Sequence, residues 1–167
     1  MKGIAYAILL VVASTALLGP LVECFQLVSE KARLDSTINN CGKLAIMTSS
    51  KDDAAKNLEP EIDLEKFIDS FSNSFKSSLN LSIEGYTSTD ILGEKTAILY
   101  FKSNDGRYSD FIVNLSIKED RPEICEVLVL TQYKFKTKHL VYVAENVPTF
   151  TDFDIERKSR FVLGQAN

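Results

Sequence analysis

The 167-residue chain has no tryptophan, one histidine (His139), three cysteines, seven glycines and four prolines. So few histidines and cysteines leave little from which to build a zinc site or a nucleophile–base pair. No glycine-rich loop is present to cradle a phosphate, and no serine stands in a G-x-S-x-G or S-x-x-K context. Excess positive charge is also missing. Nineteen Lys and Arg stand against 23 Asp and Glu, giving a net charge of -4, whereas nucleic-acid binding is dominated by neutralising phosphates. These absences point away from a metalloenzyme, a hydrolase and a nucleic-acid binder, and no cofactor is expected. Hydrophobic residues at 45% and charged residues at 25% are the proportions of one folded domain of ordinary size.

What the chain does have is a long apolar run. Residues 4 to 22 (IAYAILLVVASTALLGPLV) carry no charge and follow Lys2. As a helix they reach about 28 Å, close to the ~30 Å of a bilayer's hydrocarbon core. The competing reading is a cleaved signal peptide, with Lys2 first, Ile4 to Val12 as its apolar centre and Ser14-Thr15-Ala16 as the small residues of a cleavage site. A cut there would leave Leu17, Leu18, Leu21 and Val22 as a greasy new terminus, which favours a retained anchor. Gly19-Pro20 predicts a kink in a helix that continues.

Beyond the run, Leu27, Leu34, Ile38, Cys41, Ala45 and Thr48 recur at helical spacing, with Glu30, Lys31, Arg33, Asp35 and Lys43 assigned to the other faces. One helix from about Ile4 to Met47 is expected, on the order of 65 Å long. Thr48 to Pro60 reads as a polar linker, with a helical turn near Ala54 to Leu58. From Ile62 to Leu79 the spacing of Leu64, Phe67, Ile68, Phe71, Phe75 and Leu79 then predicts a second amphipathic helix with an aromatic stripe.

From Leu81 onward the period falls to two. Strands are expected around Leu81 to Glu84, Thr96 to Lys102, Phe111 to Lys118 and Ile124 to Phe135, the last as the sheet's centre. A short apolar run at Leu140 to Ala144 and a final strand at Asp154 to Leu163 follow. Ser103-Asn104-Asp105-Gly106 is a strong turn signal joining two of the strands as a hairpin. The expected fold class is α+β. A long N-terminal helix, apolar in its membrane half and amphipathic in its second half, and a second helix pack on an antiparallel sheet of four to six strands. Residues 1–25 form the anchor and 26–167 a single domain.

The remaining constellations have bland readings. Asp152, Asp154 and Glu156 alternate as a hard cation would need, yet no EF-hand pattern surrounds them, and a solvated strand face suffices. Lys134, Lys136 and Lys138 alternate as in a basic stripe for an anionic surface or partner, or as on an edge strand protected against unwanted pairing, which suffices to explain them. His139 reads as a surface residue at a strand end. In an oxidising compartment Cys41 and Cys125 would be the pair to form a disulfide across the helix–sheet interface. Asn80-Leu81-Ser82 and Asn114-Leu115-Ser116 match the glycosylation triplet, which has meaning only in a eukaryotic secretory protein.

Leu18 to Ala45 (LGPLVECFQLVSEKARLDSTINNCGKLA) resembles the N-terminal region of TadE/TadG-like minor pilins of the tight-adherence pilus system. The resemblance rests on the apolar anchor, Val22-Glu23 followed by Phe25, and Leu34, Ile38 and Cys41 along the helix beyond. Tyr133 and Phe135 match the Tyr-x-aromatic element of such domains, and Phe161 lies in the position of their last strand. In pilins a prepilin peptidase cuts after a glycine with glutamate at the fifth mature position. Here the fifth residue after Gly3 is Ile8, which fits an anchor kept intact. The resemblance implies a non-enzymatic, single-pass protein of the cytoplasmic membrane with its C-terminal domain extracytoplasmic, held in lipid by residues 4–22, or in a surface filament. Its partners would be other pilin-like subunits or envelope assembly proteins, with Glu23, Phe25, Leu34 and Ile38 the candidate subunit-packing residues. A secreted or anchored binding module, its N-terminus only an export signal, is the alternative.

Overall fold

The computed structural model describes residues 2–51, 61–91, 94–118, 124–146 and 154–162. The first helix, α1 (Lys2–Ser49), is uninterrupted and runs through Pro20. Within its apolar stretch the hydroxyls turn back onto the helix: Ser14 Oγ donates to the Leu10 carbonyl at 2.7 Å and Thr15 Oγ1 to that of Val12 at 2.9 Å. These two hydroxyls thereby find acceptors on their own helix, whereas the Tyr6 ring is exposed.

Two short strands, β1 (Ser50–Lys51) and β2 (Glu61–Ile62), pair antiparallel and return the chain to the end of α1. The second helix, α2 (Leu64–Leu79), starts at Asp63, whose carboxylate accepts from the Lys66 amide, and stops at Asn80. Asn80 is left-handed (φ 54°) and donates its N–H to the Lys76 carbonyl, a conformation that asparagine tolerates better than most residues. The helical turn expected near Ala54 to Leu58 lies outside the described residues.

The sheet is a meander of β3 (Leu81–Ile91), β4 (Glu94–Ser103), β5 (Phe111–Lys118), β6 (Ile124–Gln132) and, after the helix α3 (Lys138–Asn146), β7 (Asp154–Val162). Neighbours in sequence are neighbours in space, and every pairing is antiparallel. The β4–β5 connection carries the turn read from the sequence, with Gly106 at φ +68°, where a Cβ would be strained.

Three expectations are corrected. The centre of the sheet is β5 rather than β6, because only β7 lies beyond β6 while β3, β4 and β5 lie on its other side. Leu140 to Ala144 is helical, within α3, so His139 lies in a helix and not at a strand end. Lys134 and Lys136 lie past the end of β6 and Lys138 opens α3, so the three lysines protect no edge strand.

The core lies between one face of this sheet and the two helices. Phe67, Phe71 and Phe75 of α2 stack successively, with centroids 6.1 and 5.3 Å apart, and Phe75 meets Phe101 and Phe111 edge-on at 5.4 and 5.8 Å. From α1, Leu34, Ile38, Cys41 and Ala45 are buried in the same core. Each fully buried large apolar side chain contributes roughly 1.5–3 kcal/mol. Leu34 and Ile38, the candidates for a contact between subunits, are both wholly covered by their own chain. Gly42 lies next along the helix because the ring of Phe161 lies on it. A Cβ there would come within 2.3 Å of the ring's Cζ, so glycine sets how closely α1 approaches β7.

Candidate functional site

Two carboxylates of α1, Glu23 and Glu30, make side-chain contacts with the rest of the chain just beyond the apolar stretch. Glu23 is the first charged residue after Lys2, and its side chain is buried, with only 5% exposed. Its two carboxylate oxygens accept from consecutive backbone amides of the segment between β6 and α3: Oε1 from Lys136 N–H and Oε2 from Thr137 N–H at 2.9 Å. Thr137 in turn accepts the first helical hydrogen bond of α3, from Val141 N–H at 3.0 Å. The carboxylate therefore joins the end of the apolar stretch of α1 to the start of α3. Hydrogen bonds to an ionised acceptor contribute about 1.5–3 kcal/mol. Glu23 is a subunit-packing candidate in the sequence; in the structure both its oxygens are engaged within the chain.

Two turns further on, Glu30 makes the second junction. Arg107 Nη1 donates to its Oε1 at 2.8 Å and the Tyr108 hydroxyl to its Oε2 at 2.7 Å. Asp105 holds Arg107 from the other side, accepting from its backbone N–H at 3.0 Å and its Nε at 2.8 Å. Burial alone would raise the Asp105 carboxyl, but the Arg107 amide and guanidinium and the Ser103 hydroxyl outweigh it and hold it below the usual value. The Tyr108 hydroxyl is pushed well up, first by burial and then by Glu30, so it stays a donor. The sequence pattern assigns Glu30 to a face other than the apolar stripe. It belongs instead to the buried stripe, because residues 23, 27, 30, 34, 38, 41 and 45 follow one helical face. The i+7 spacing of Glu23 and Glu30 is the signal in the sequence, and a charge in an otherwise apolar stripe conceals it.

An aromatic path links these junctions to the core. Phe111 lies 5.3 Å from Tyr108, Tyr108 6.0 Å from Tyr133, and Tyr133 5.3 Å from Phe135. Tyr108 and Tyr133 also form a β-bridge. The Tyr133 and Phe135 pair of the sequence motif thus fills the space between Glu23 and Glu30 of α1 and the end of the sheet.

The other candidates are dispersed. Asp152 lies outside the described residues; Asp154 and Glu156 are exposed on β7, with Asp154 accepting from Gln132 Nε2 at 2.7 Å. Among the described residues no group of three or more His, Cys, Asp or Glu is placed to hold a metal ion. Cys41 and Cys125 are both buried and both free thiols. Burial raises each, Cys125 to about 12, so neither is a ready thiolate. Cys24 is exposed.

Two surfaces remain bare. Ile4, Tyr6, Ile8 to Val12, Leu17, Leu18, Leu21 and Val22 are all exposed around α1, and Ala5, Ile8, Leu9, Val12, Ala13 and Ala16 line a shallow apolar groove along it. This is the one helix among the described residues long and apolar enough to cross a membrane. On the sheet, the face away from the helices exposes Ile98, Tyr100 and Ile112. Tyr100 stands directly across from Ile112. No family model, curated protein or solved structure matches the chain.

Proposed function

We propose that this chain is a non-enzymatic, pilin-like envelope protein, of the TadE/TadG-like kind, anchored in the cytoplasmic membrane by residues 4–22 and assembling with other subunits of a pilus or secretion-type machine. The observation that carries this reading is α1 itself. A single 48-residue helix has a first half with no protein against it and a second half built into its own domain. Such a helix serves an assembly in two ways. Its apolar half needs lipid or other helices around it, since water would meet some twenty unsatisfied residues. The groove lined by Ala5, Ala13 and Ala16 lets another helix approach closely.

In this reading the sheet domain meets its neighbours through the open face at Ile98, Tyr100 and Ile112, with Phe25 bare beside the anchor. The subunit-packing role therefore passes from Leu34 and Ile38 to residues left uncovered. Glu23 acts inside the subunit, fixing the domain to its anchor.

The intact mass of natively expressed protein from carbonate-washed membranes and from culture supernatant tests the reading. The expected result is a chain that retains residues 4–22, confined to membranes or sheared filaments. A soluble product beginning near Leu17 would replace it with the exported binding module. The change Tyr100→Lys is expected to leave the melting temperature nearly unchanged, as exposed sites do, while reducing recovery of the protein in filaments or with its partners. Unchanged recovery removes the sheet face from the assembly.

A further inference from the structure

The Glu23 junction places α3 at a definite height. Residues 4–22 span the hydrocarbon in the reading above, on which this inference rests, and Glu23 follows directly. The Lys136 and Thr137 amides bonded to its carboxylate must therefore lie at the membrane–water interface, whatever the tilt of α1. On the far side of α1 the apolar surface continues past this point: Phe25 and Val28 are 68% and 66% exposed. Val28 is about 7.5 Å beyond Glu23 along the axis, so lipid that covers it brings headgroups level with the start of α3.

The segment held there suits that layer. Lys134, Lys136 and Lys138 are exposed, and Tyr142, one turn into α3, is 68% exposed. Residues 134–146 carry three lysines against one glutamate, Glu145, in a chain whose net charge is -4. Clustered lysines beside a span attract anionic headgroups, and tyrosine favours the interface because its ring is apolar and its hydroxyl wet.

We propose that Lys134, Lys136, Lys138 and Tyr142 form a membrane-surface seat for anionic phospholipid headgroups, so that the domain rests against the bilayer at α3 and does not swing freely on its anchor. Glu23 positions the seat, and the lysines bind it.

The absence of tryptophan makes the test direct. In the full-length chain Tyr142→Trp puts a single reporter on α3, and Phe25→Trp in a second variant reports the anchor. Both are reconstituted into vesicles of phosphatidylcholine alone and of phosphatidylcholine with phosphatidylglycerol, containing lipids brominated near the headgroup end of the chain. The Phe25→Trp indole is expected to be quenched in both. The Tyr142→Trp indole is expected to be quenched and blue-shifted with phosphatidylglycerol. Replacing the three lysines by glutamine should lower the seated-to-free ratio on the order of 100-fold, with unchanged far-ultraviolet circular dichroism. Molar salt, which shortens screening to ~3 Å, should do likewise.

If Phe25→Trp is quenched while Tyr142→Trp keeps the emission of an indole in water, the seat is overturned and the anchor stands. A blue shift at Tyr142→Trp without lipid quenching overturns it in favour of a protein cover, and equal quenching in neutral vesicles or in the glutamine variant removes the lysines' role. Loss of quenching at Phe25→Trp instead overturns the anchor and the seat with it.

Discussion

The two halves of α1 share one backbone and one axis, yet they live by different rules. From Gly3 to Val22 the described side chains are, apart from the partly covered Pro20, exposed all round. From Glu23 to Ser49 the helix has a buried stripe that ends in the core of the domain. A purely apolar stretch does not distinguish its own faces and takes whatever solvent or partner surrounds it. A stripe that mixes Leu34, Ile38 and Ala45 with Glu23 and Glu30 accepts one orientation only, because each carboxylate has to find its donors. Polar residues inside the stripe therefore specify the seat of the helix, and apolar ones supply most of its stability.

The sharpest way to break the comparison is to cut the same side chain from each half. Leu34→Ala should destabilise the domain by about 2–5 kcal/mol, the usual range for a buried leucine, and Leu18→Ala by nothing measurable, both read by denaturant unfolding of detergent-solubilised protein. Equal losses would mean that the apolar half of α1 packs on the domain. A smaller effect comes from the tyrosines. Tyr108→Phe removes the hydroxyl that donates to Glu30 Oε2, leaving that oxygen only Arg33 Nη1 at 3.6 Å, and should lower stability by about 1–2 kcal/mol, whereas Tyr6→Phe, exposed on the apolar half of α1, should not change it. A null result at Tyr108 would reduce Glu30 to a surface charge.

The smallest effect is one of pH. The Asp105 carboxyl is lowered below its ordinary 3.8 in the fold, so its contribution is complete above that value and disappears as the pH falls through the lower, folded one. The melting temperature should therefore fall below about pH 4, and Asp105→Asn should flatten that part of the curve. An unchanged acid limb in the variant would assign acid sensitivity to other carboxylates, Glu126 among them, which its bond to Lys158 also lowers.

Much of the fold was legible in local pattern. The helix expected from Ile4 to Met47 runs from Lys2 to Ser49, the aromatic helix ends at Leu79 as read, and the hairpin turns at Gly106. These succeed because period and turn chemistry act over a few residues. The failures share one cause. Leu140 to Ala144 is too short for its period to separate strand from helix. Nothing near β6 reveals that β7 will pair beside it. Glu30 and Gly42 look ordinary until Arg107, Tyr108 and Phe161 arrive from 77, 78 and 119 residues away. At the candidate site Glu23 stood out in the sequence by its position alone, but its partners are backbone amides, which carry no residue signature.

The amino-acid sequence by itself therefore determined a continuous helix, bare and apolar at one end, followed by a second helix and antiparallel strands, since these follow from side-chain period and backbone preference. Only the tertiary structure decided which residues of that helix remain available to other molecules. Burial and hydrogen bonding are properties of pairs brought together by folding: they withdrew Leu34, Ile38 and Glu23 from the surface and left Phe25, Tyr100 and Tyr142 upon it.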